Sequence, residues 1–195
     1  DSLLSDGFFS HKQNGYELDG WYFNDTKWNF DTDKVVTDMT LIARWTPIEY
    51  TITYNLVGGQ LPDGITNKET YTIEETFTIN NPIKSGYTFA GWDVEYVGEK
   101  DHYHTELDFT YSEQTPNLII NAGTFGDLSL TAIWLAREYD ITYVNLENAV
   151  FDLNGHPSSL NPNPLKIKAD ETITLINPTG KRGYNFAGWT LKDED

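Results

Sequence analysis

The side chains best suited to bind a metal ion lie in one short segment, Asp101-His102-Tyr103-His104-Thr105-Glu106. On a β-strand His102 and His104 would share one face with Glu106 in line, because successive side chains point to opposite faces. Imidazole and carboxylate groups of this kind bind divalent transition metals. Such spacing constrains the coordination geometry only loosely. We therefore interpret these residues as surface side chains of an exposed loop, and we predict no metal site and no cofactor.

Acidic residues offer a second candidate chemistry. Asp31 and Asp33 precede Asp38 closely, but the spaced oxygen ligands and terminal Glu of an EF-hand loop are missing, so we expect solvated carboxylates. The chain has 30 acidic residues, so some carboxylate pairs will be close by chance, and none is marked as an acid and a base. No nucleophile motif or phosphate-binding loop stands out. We predict no catalytic residues and no enzymatic activity.

Composition excludes several classes of partner. The net charge is −17 over 195 residues with a pI near 4.4, which disfavours nucleic acid and anionic membrane surfaces. No apolar run approaches the length needed to span a bilayer, so direct membrane insertion is not expected. With no cysteine, disulfides and thiolate sites are excluded, and an aromatic content of 14% must supply the cores.

A heptapeptide, Gly-Tyr-x-(Leu/Phe)-x-Gly-Trp, occurs three times in the chain. The repeats that contain it form the framework on which all other side chains are placed. An internal repeat has to be recognised before single residues are interpreted, because each copy is one supersecondary unit. Arrays of such units usually space, display or bind. The structural signature residues are Gly15, Tyr16, Gly20 and Trp21, then Gly86, Tyr87, Phe89, Gly91 and Trp92, then Gly183, Tyr184, Phe186, Gly188 and Trp189.

Two strand-like strings recur with a spacing of 89 residues. An opening string, Tyr-x-Ile-Thr-Tyr, begins at Tyr50 and again at Tyr139, and a closing string, Leu-x-Ala-x-Trp, ends at Trp45 and at Trp134. We predict a partial repeat over residues 1–45, a complete repeat over 50–134 and a second partial repeat over 139–195. The four-residue linkers 46–49 and 135–138 contain no Gly or Ser, so we expect successive units to form an elongated rod.

The predicted fold is mainly β with little helix. Short runs rich in Thr, Tyr, Ile and Phe alternate with clusters of Gly, Pro, Asn and Asp. In the closing strings the Leu, Ala and Trp residues share one strand face. Strict alternation would separate Trp92 from Phe89, so either a bulge at Gly91 rotates Trp92 toward the core or both strand faces are covered; we favour the bulge. Residues 97–114 form an insertion in a surface loop or hairpin.

These strings resemble the Listeria–Bacteroides repeat, the family that includes the B repeat of internalin B. The likeness rests on Ile-Thr-Tyr-Asn-Leu at 52–56, the Gly58-Gly59 turn, the block 82–92 and the segment 122–134. It covers nearly the whole chain, although residues 145–164 lack the Gly-Gly turn. The resemblance implies tandem β-grasp-like units, related to ubiquitin-like and mucin-binding modules, in an extracellular protein of the bacterial cell surface, wall-attached or secreted. It implies no catalytic residues.

The sequence therefore predicts a non-enzymatic stalk or spacer that also serves adhesion or protein interaction. The partner is an unidentified host or bacterial surface protein or glycan, and broken repeats also suggest head-to-tail self-association. The alternative is a carbohydrate- or mucin-binding module, for which the non-repeated aromatic residues Trp28, Tyr96, Tyr103 and Tyr111 are the candidates for exposure. Trp92 and Trp134 are expected to be buried core residues, since recurring strand positions are typical of a core.

Overall fold

A computed structural model describes residues 13–97, 109–111 and 117–191 of the chain. Within those ranges the regular structure consists of strands, with no helix, which confirms the mainly β prediction. The strands are β1 Tyr16–Phe23, β2 Thr26–Lys27, β3 Ile42–Pro47, β4 Glu49–Asn55, β5 Thr70–Thr72, β6 Phe77–Ile79, β7 Tyr87–Val97, β8 Phe109–Tyr111, β9 Leu118–Ile120, β10 Asp127–Ala136, β11 Glu138–Asp140, β12 Ala149–Leu153, β13 His156–Ser158, β14 Lys166–Lys168 and β15 Gly180–Lys181.

The chain forms two compact units. Unit 1 comprises Asp1–Ser85 and Phe89–Trp134, and unit 2 comprises Gly86–Thr88 and Leu135–Asp195. The five sheets have the strand orders β2-β1-β3, β5-β4-β10-β7, β6-β9-β8, β11-β14 and β13-β12-β15. The division into residues 1–45, 50–134 and 139–195 stays a prediction based on the repeats.

A mixed sheet lies at the centre of the middle repeat. Its opening strand β4 pairs antiparallel with β5 and parallel with the closing strand β10, where Ile52 is opposite Leu128 and Tyr54 opposite Leu130. A parallel pair needs a long crossover connection. Residues 56–126 provide it, and they carry the small sheet β6-β9-β8 instead of a helix in their described part.

The core of unit 1 follows from the alternation of apolar residues along these strands. On β10 the side chains of Leu128, Leu130 and Ala132 are buried while Ile133 is exposed. On β4, Ile52 is buried between the exposed Thr51 and Thr53, as the period of two predicts. The buried cluster comprises Ile52, Tyr71, Ile79, Trp92, Leu118, Ile120, Leu128, Leu130 and Ala132.

The first copy of the heptapeptide strand contains a bulge of the kind predicted at Gly91 in the middle copy. In the β1–β3 pair, Leu18 is opposite Trp45 but Gly20 is opposite Arg44, so Asp19 is the extra residue. The bulge changes the alternation, as an inserted residue must. In the middle copy the Phe89 and Trp92 rings are in contact despite their odd spacing, which strict alternation would forbid.

The insertion of residues 97–114 lies mostly outside the described residues. Its strand β8 is described, and it pairs antiparallel with β9, with Thr110 opposite Ile119. The predicted surface hairpin therefore supplies an outer strand to the small sheet of the middle repeat.

Unit 2 contains a hairpin that the sequence interpretation left open. Strands β12 and β13 pair antiparallel and are joined by Asn154-Gly155, both with positive φ. Two such residues between the strands are typical of a type I′ turn, which matches the twist of a hairpin. Phe151 on β12 is only 1% exposed, so the hairpin anchors the loop that replaces the Gly-Gly turn of the middle repeat.

Candidate functional site: the heptapeptide and its surroundings

Each heptapeptide begins with a tight turn, which we call the heptapeptide corner: Gly15-Tyr16, Gly86-Tyr87 and Gly183-Tyr184. The Tyr16 N–H donates to the carbonyl of Gln13 at 3.0 Å, and the Tyr184 N–H donates to the carbonyl of Lys181 at 2.9 Å. The corner glycines have φ of 76°, 79° and 81°. A positive φ at the third position is what a type II turn requires, and glycine supplies it without steric cost.

The heptapeptide of the middle repeat packs its aromatic side chains into one cluster. The Phe89 ring meets the rings of Trp92 and Trp134 edge-on, with centroids 5.4 Å and 5.5 Å apart. Tyr54 of the opening strand contacts Trp92 at 5.9 Å, and its hydroxyl donates to the Lys68 carbonyl. Edge-to-face geometry suits the quadrupoles of the rings, so the heptapeptide stabilises the core.

The third copy builds part of this cluster from equivalent residues, although Phe186 is more exposed than Phe89. The Phe186 and Trp189 rings are 5.2 Å apart, and Tyr143 contacts Trp189 at 5.5 Å. The Tyr143 hydroxyl donates to the carbonyl of Pro164, as Tyr54 does to Lys68 in the middle repeat. The heptapeptides of the two copies are thus alike in sequence and in part of their surroundings.

Burial of the aromatic residues agrees with the predictions for one tryptophan and corrects several others. Trp92 is 3% exposed, as expected of a core residue. Trp134 was expected to be buried but is half-buried, with its indole N–H bonded to the Leu56 carbonyl at 3.0 Å. Its ring lies against Gly59, where a Cβ would collide with it. The tryptophan therefore closes the edge of the core, and the second glycine of the Gly-Gly turn makes room for it.

The non-repeated aromatic residues proposed as exposed platforms are not exposed where the structure describes them. Trp28 and Tyr96 are half-buried, with Trp28 packed edge-on against Phe23 and Tyr96 packed against the core of the middle repeat. Tyr103 and the side chain of Tyr111 lie outside the described residues. Residues near a strand end can bury a ring against a neighbouring strand, which periodicity alone does not indicate.

In the first partial repeat the signature residues occupy a smaller sheet. Leu18 and Trp45 are cross-strand neighbours, and Trp21 is opposite Ala43. Trp21 and Trp45 are both half-buried, and Gly20 in the bulge lies beneath the Lys27 side chain. These residues pack between strands, as their counterparts in the middle repeat do.

An asparagine clamp recurs in two repeats and was missed by the sequence interpretation. Asn67 accepts a hydrogen bond from the Asn80 N–H at 2.7 Å and donates to its carbonyl at 3.1 Å. Asn163 makes the same two bonds with Ile176, at 2.6 Å and 3.0 Å. The side-chain amide thus hydrogen-bonds to both the N–H and the carbonyl of its partner residue, as the backbone of a neighbouring strand would. Asn163 is only 5% exposed.

A glutamate turn lies between the two residues that the clamp joins, in both repeats. The Glu75 carboxylate accepts a hydrogen bond from the Thr72 N–H at 3.2 Å, and Glu171 accepts one from the Lys168 N–H at 2.9 Å. The four-residue turns Thr72–Glu75 and Lys168–Glu171 therefore have the same closure. Aligning the two repeats at a spacing of 96 residues places both the clamp and the turn in register, and this was the signal available in the sequence.

Within unit 1 the first heptapeptide corner contacts the linker and the glutamate turn of the next repeat. The Ile48 N–H donates to the Gly15 carbonyl at 2.9 Å, and the Tyr16 hydroxyl donates to Glu74 at 3.1 Å. Gly15 is buried beneath Ile73. A methyl group on Gly15 would lie 2.5 Å from the Ile73 Cδ1, far inside van der Waals contact.

Within unit 2 the same kinds of contact surround Gly86. The Arg137 N–H donates to the Gly86 carbonyl at 2.9 Å, and the Arg137 Nε donates to the Thr88 hydroxyl at 3.2 Å. A methyl group on Gly86 would lie 3.0 Å from the Cβ of Ala169. Arg137 and Ala169 occupy the positions in this repeat that Ile48 and Ile73 occupy in the middle repeat.

The charged groups with resolved pKa shifts lie on the surface. The hydrogen bonds from Tyr22 and Lys27 lower the pKa of Asp19 below its ordinary value. Lys166 likewise lowers the pKa of Glu138, with the two groups 2.9 Å apart. Exposed ion pairs contribute little to stability because water and salt screen them.

The metal-like candidates gain no support from the described residues. Residues 101–106 lie outside them, and no cluster of three or more His, Cys, Asp or Glu side chains able to hold a metal occurs within them. Asp33 caps its own loop by accepting the Asn29 N–H at 2.9 Å. A wide depression in the first partial repeat, lined in part by Phe23, Asp25 and Asp38, brings carboxylates to the surface without such a cluster.

The heptapeptide recurs in three copies and the clamp and glutamate turn recur in two, which defines a tandem-repeat protein of mainly β structure. The model of the Listeria-Bacteroides repeat domain matches residues 10–44, 50–115 and 148–195, which together make up more than half of the chain. The chain therefore belongs to the Listeria-Bacteroides repeat family, as the sequence motifs predicted.

Two proteins of Evansella cellulosilytica are similar to the chain. One, named "Putative membrane protein", is 29% identical over 187 residues, covering 93% of this chain and 24% of its own length. The other, named "Putative Gly-rich membrane protein", is 27% identical over 182 residues, covering 91% of this chain and 18% of its own length. The chain thus spans about a quarter or less of these relatives. No solved structure matches it.

The names of both relatives refer to a membrane. Among the described residues of this chain, we find no helix with the length and apolar character needed to cross a bilayer.

Proposed function

We propose that the chain is a stalk or spacer segment of a bacterial cell-surface protein, located outside the cell and either attached to the wall or secreted. One observation carries this proposal: the recurring residues are used to build repeats of the same kind. Phe89 packs against both Trp92 and Trp134, and Phe186 packs against Trp189 in the third copy. Family membership and the membrane-protein relatives support the location.

The proposal includes a β-grasp-like unit and an elongated array. The parallel pairing of β4 and β10 inside a mixed sheet supports the first, because opening and closing strands of one repeat lie side by side. The linkers 46–49 and 135–138 support the elongated array, since linkers of four residues leave adjacent repeats little freedom to move. Neither feature requires a catalytic site, and we propose that the chain is not an enzyme.

A display experiment tests the spacer function. One, two or three copies of the chain are placed between a wall-anchored domain and a reporter that binds a bulky ligand on the cell surface. Ligand capture is expected to increase with each copy, because a stiff spacer lifts the reporter farther from the wall. Flexible Gly/Ser linkers with the same number of residues are the control, since their reach grows only with the square root of length. Equal capture for both series would reject the spacer proposal.

We also propose an adhesive role toward a surface protein or glycan of the host or of neighbouring bacteria. Glycan-array binding and isothermal titration of the chain distinguish this role from pure spacing, since a spacer shows no saturable ligand. The alternative function, a carbohydrate- or mucin-binding module, predicts saturable glycan binding that is lost with an exposed ring. Tyr184, 72% exposed, is the ring to test by substitution with alanine.

A further inference from the structure

The corner glycines differ in what covers them, although their backbone conformations are the same. Their φ values are 76°, 79° and 81°, so an alanine would meet similar backbone strain at each. Gly15 is buried under Ile73, and Gly86 lies against Ala169. Gly183 is exposed, and nothing among the described residues lies within 4 Å of the place its Cβ would take. The turn itself thus accounts for the glycine at all three positions, but close approach adds a second requirement at two of them.

We propose that the heptapeptide corner is a docking surface whose partner is the linker and glutamate turn of the repeat that follows it. The contact has three parts in unit 1: the Ile48 N–H on the Gly15 carbonyl, the Ile73 side chain over Gly15, and the Tyr16 hydroxyl on Glu74. A backbone hydrogen bond fixes the direction of the linker. An aliphatic side chain seated on a glycine fixes the distance of closest approach.

The surroundings of Gly86 show the same arrangement with different side chains. The linker N–H again bonds to the glycine carbonyl, here from Arg137, and the covering residue at the second position of the glutamate turn is Ala169. A smaller covering residue is matched by an additional hydrogen bond from Arg137 to Thr88. The partner that fits a heptapeptide corner is therefore a linker N–H together with a small or aliphatic residue at the second position of a glutamate turn.

This inference does not depend on the stalk proposal, because repeats fixed to one another could equally serve a binding module. The test uses the full chain, whose lack of cysteine allows two spin labels to be placed cleanly. Thr26→Cys on β2 and Thr78→Cys on β6 introduce them at exposed strand positions on either side of the joint within unit 1. The measured quantity is the width of the distance distribution between the labels.

The parent chain should give one narrow distribution. Gly15→Ala should broaden it at least about twofold, since the added methyl group cannot coexist with Ile73 in its place. Gly183→Ala is the matched control with the same turn and the same φ, and it should leave the width unchanged. Ile73→Gly should also broaden the distribution, because it removes the covering side chain without straining the corner.

Hydrogen exchange of the β4 and β10 amides shows whether each variant keeps the fold of the middle repeat. The proposal is supported if Gly15→Ala and Ile73→Gly broaden the distribution while those amides stay protected. It is overturned if the parent distribution is already as broad as that of the variants, or if Ile73→Gly leaves it narrow. Equal broadening by Gly15→Ala and Gly183→Ala would also overturn it, since the turn alone would then explain the effect.

Discussion

Trp92 joins the heptapeptide to the core more extensively than the other recurring residues do. Its ring contacts Phe89 and Tyr54, and only 3% of it is exposed. Trp92→Ala should lower the free energy of unfolding by about 3–5 kcal/mol, because the transfer free energy of the ring is lost and a cavity remains. Native-state hydrogen exchange of the Leu128 and Leu130 amides measures the change without relying on tryptophan fluorescence.

Ile133→Ala is the control for this prediction. Ile133 lies on the same strand as Leu130, but its side chain points outward and is 46% exposed. Its truncation should cost less than about 1 kcal/mol, as surface substitutions usually do. An unchanged exchange rate in Trp92→Ala would mean that the recurring tryptophan is not part of the core.

Two tyrosines make the stability of unit 1 sensitive to alkaline pH. Burial raises the pKa of Tyr54 and of Tyr71 well above the ordinary value of 10.0. The folded state therefore keeps protons that the unfolded state loses, so their contribution is complete below about pH 10 and is lost as pH rises toward the folded pKa. Urea midpoints measured by circular dichroism from pH 9 to pH 11.5 should fall accordingly.

Tyr71→Phe should flatten that dependence by up to about 1.4 kcal/mol per pH unit, the free energy equivalent to one proton. At neutral pH the same variant should be less stable by about 0.5–1.5 kcal/mol, because the hydrogen bond from the Tyr71 hydroxyl to the Gly126 carbonyl is lost. Tyr184→Phe, at an exposed position, serves as the control. A slope identical in parent and Tyr71→Phe would contradict the assignment.

Residue types alone predicted part of this picture. The alternation around Ile52 and Leu130 followed from strand periodicity, and the burial of Trp92 followed from its recurrence at a fixed position of the repeat. The half-burial of Trp134 did not, because it depends on how closely Gly59 lets the ring approach a turn 75 residues away. Distances of that kind are set by tertiary packing.

At the scale of elements, the asparagine clamp ties two segments of one repeat together, 13 residues apart in the sequence. Asn163→Ala should destabilise unit 2 by about 1–3 kcal/mol, since the Ile176 N–H and carbonyl lose their partner in a mostly buried place. Asn163→Asp keeps the acceptor oxygen but places a second oxygen opposite the Ile176 carbonyl, so it should also destabilise unit 2. Amide exchange at Ile176 checks both.

A matched substitution in the middle repeat extends this prediction. Asn67→Ala should accelerate exchange at Asn80, whose N–H is bonded to the Asn67 side chain at 2.7 Å. If exchange at Asn80 and at Ile176 is unaffected by the respective alanine variants, the clamp is a by-product of the loop path and contributes no stability.

The asparagine clamp could not be found from the 89-residue spacing of the repeats. The opening and closing strings recur every 89 residues, but the clamp and the glutamate turn recur after 96, because the loop of the third copy is longer. An alignment of the repeats at 89 residues therefore places neither the clamp nor the glutamate turn in register. The Asn154-Gly155 hairpin was accessible from its turn residues, since such a pair strongly indicates a type I′ turn. The parallel pairing of β4 with β10 was not, because strand order is a non-local property.

At the scale of the whole molecule, the proposed stalk combines similar repeats with short linkers. A net charge of −17 would keep such a segment soluble and hold it away from anionic surfaces. The sequence predicted the family and the mainly β structure. It could not predict how firmly one repeat is fixed to the next, because that depends on contacts such as Ile73 over Gly15.

Small-angle X-ray scattering of the full chain tests the stalk proposal most directly. A compact domain of 195 residues would have a radius of gyration of about 16 Å, and an unfolded chain of that length about 47 Å. The stalk proposal predicts at least about 20 Å, together with a pair-distance distribution that has the long tail of an elongated, folded particle. A radius near 16 Å with a symmetric distribution would contradict the proposal that the repeats form an extended spacer.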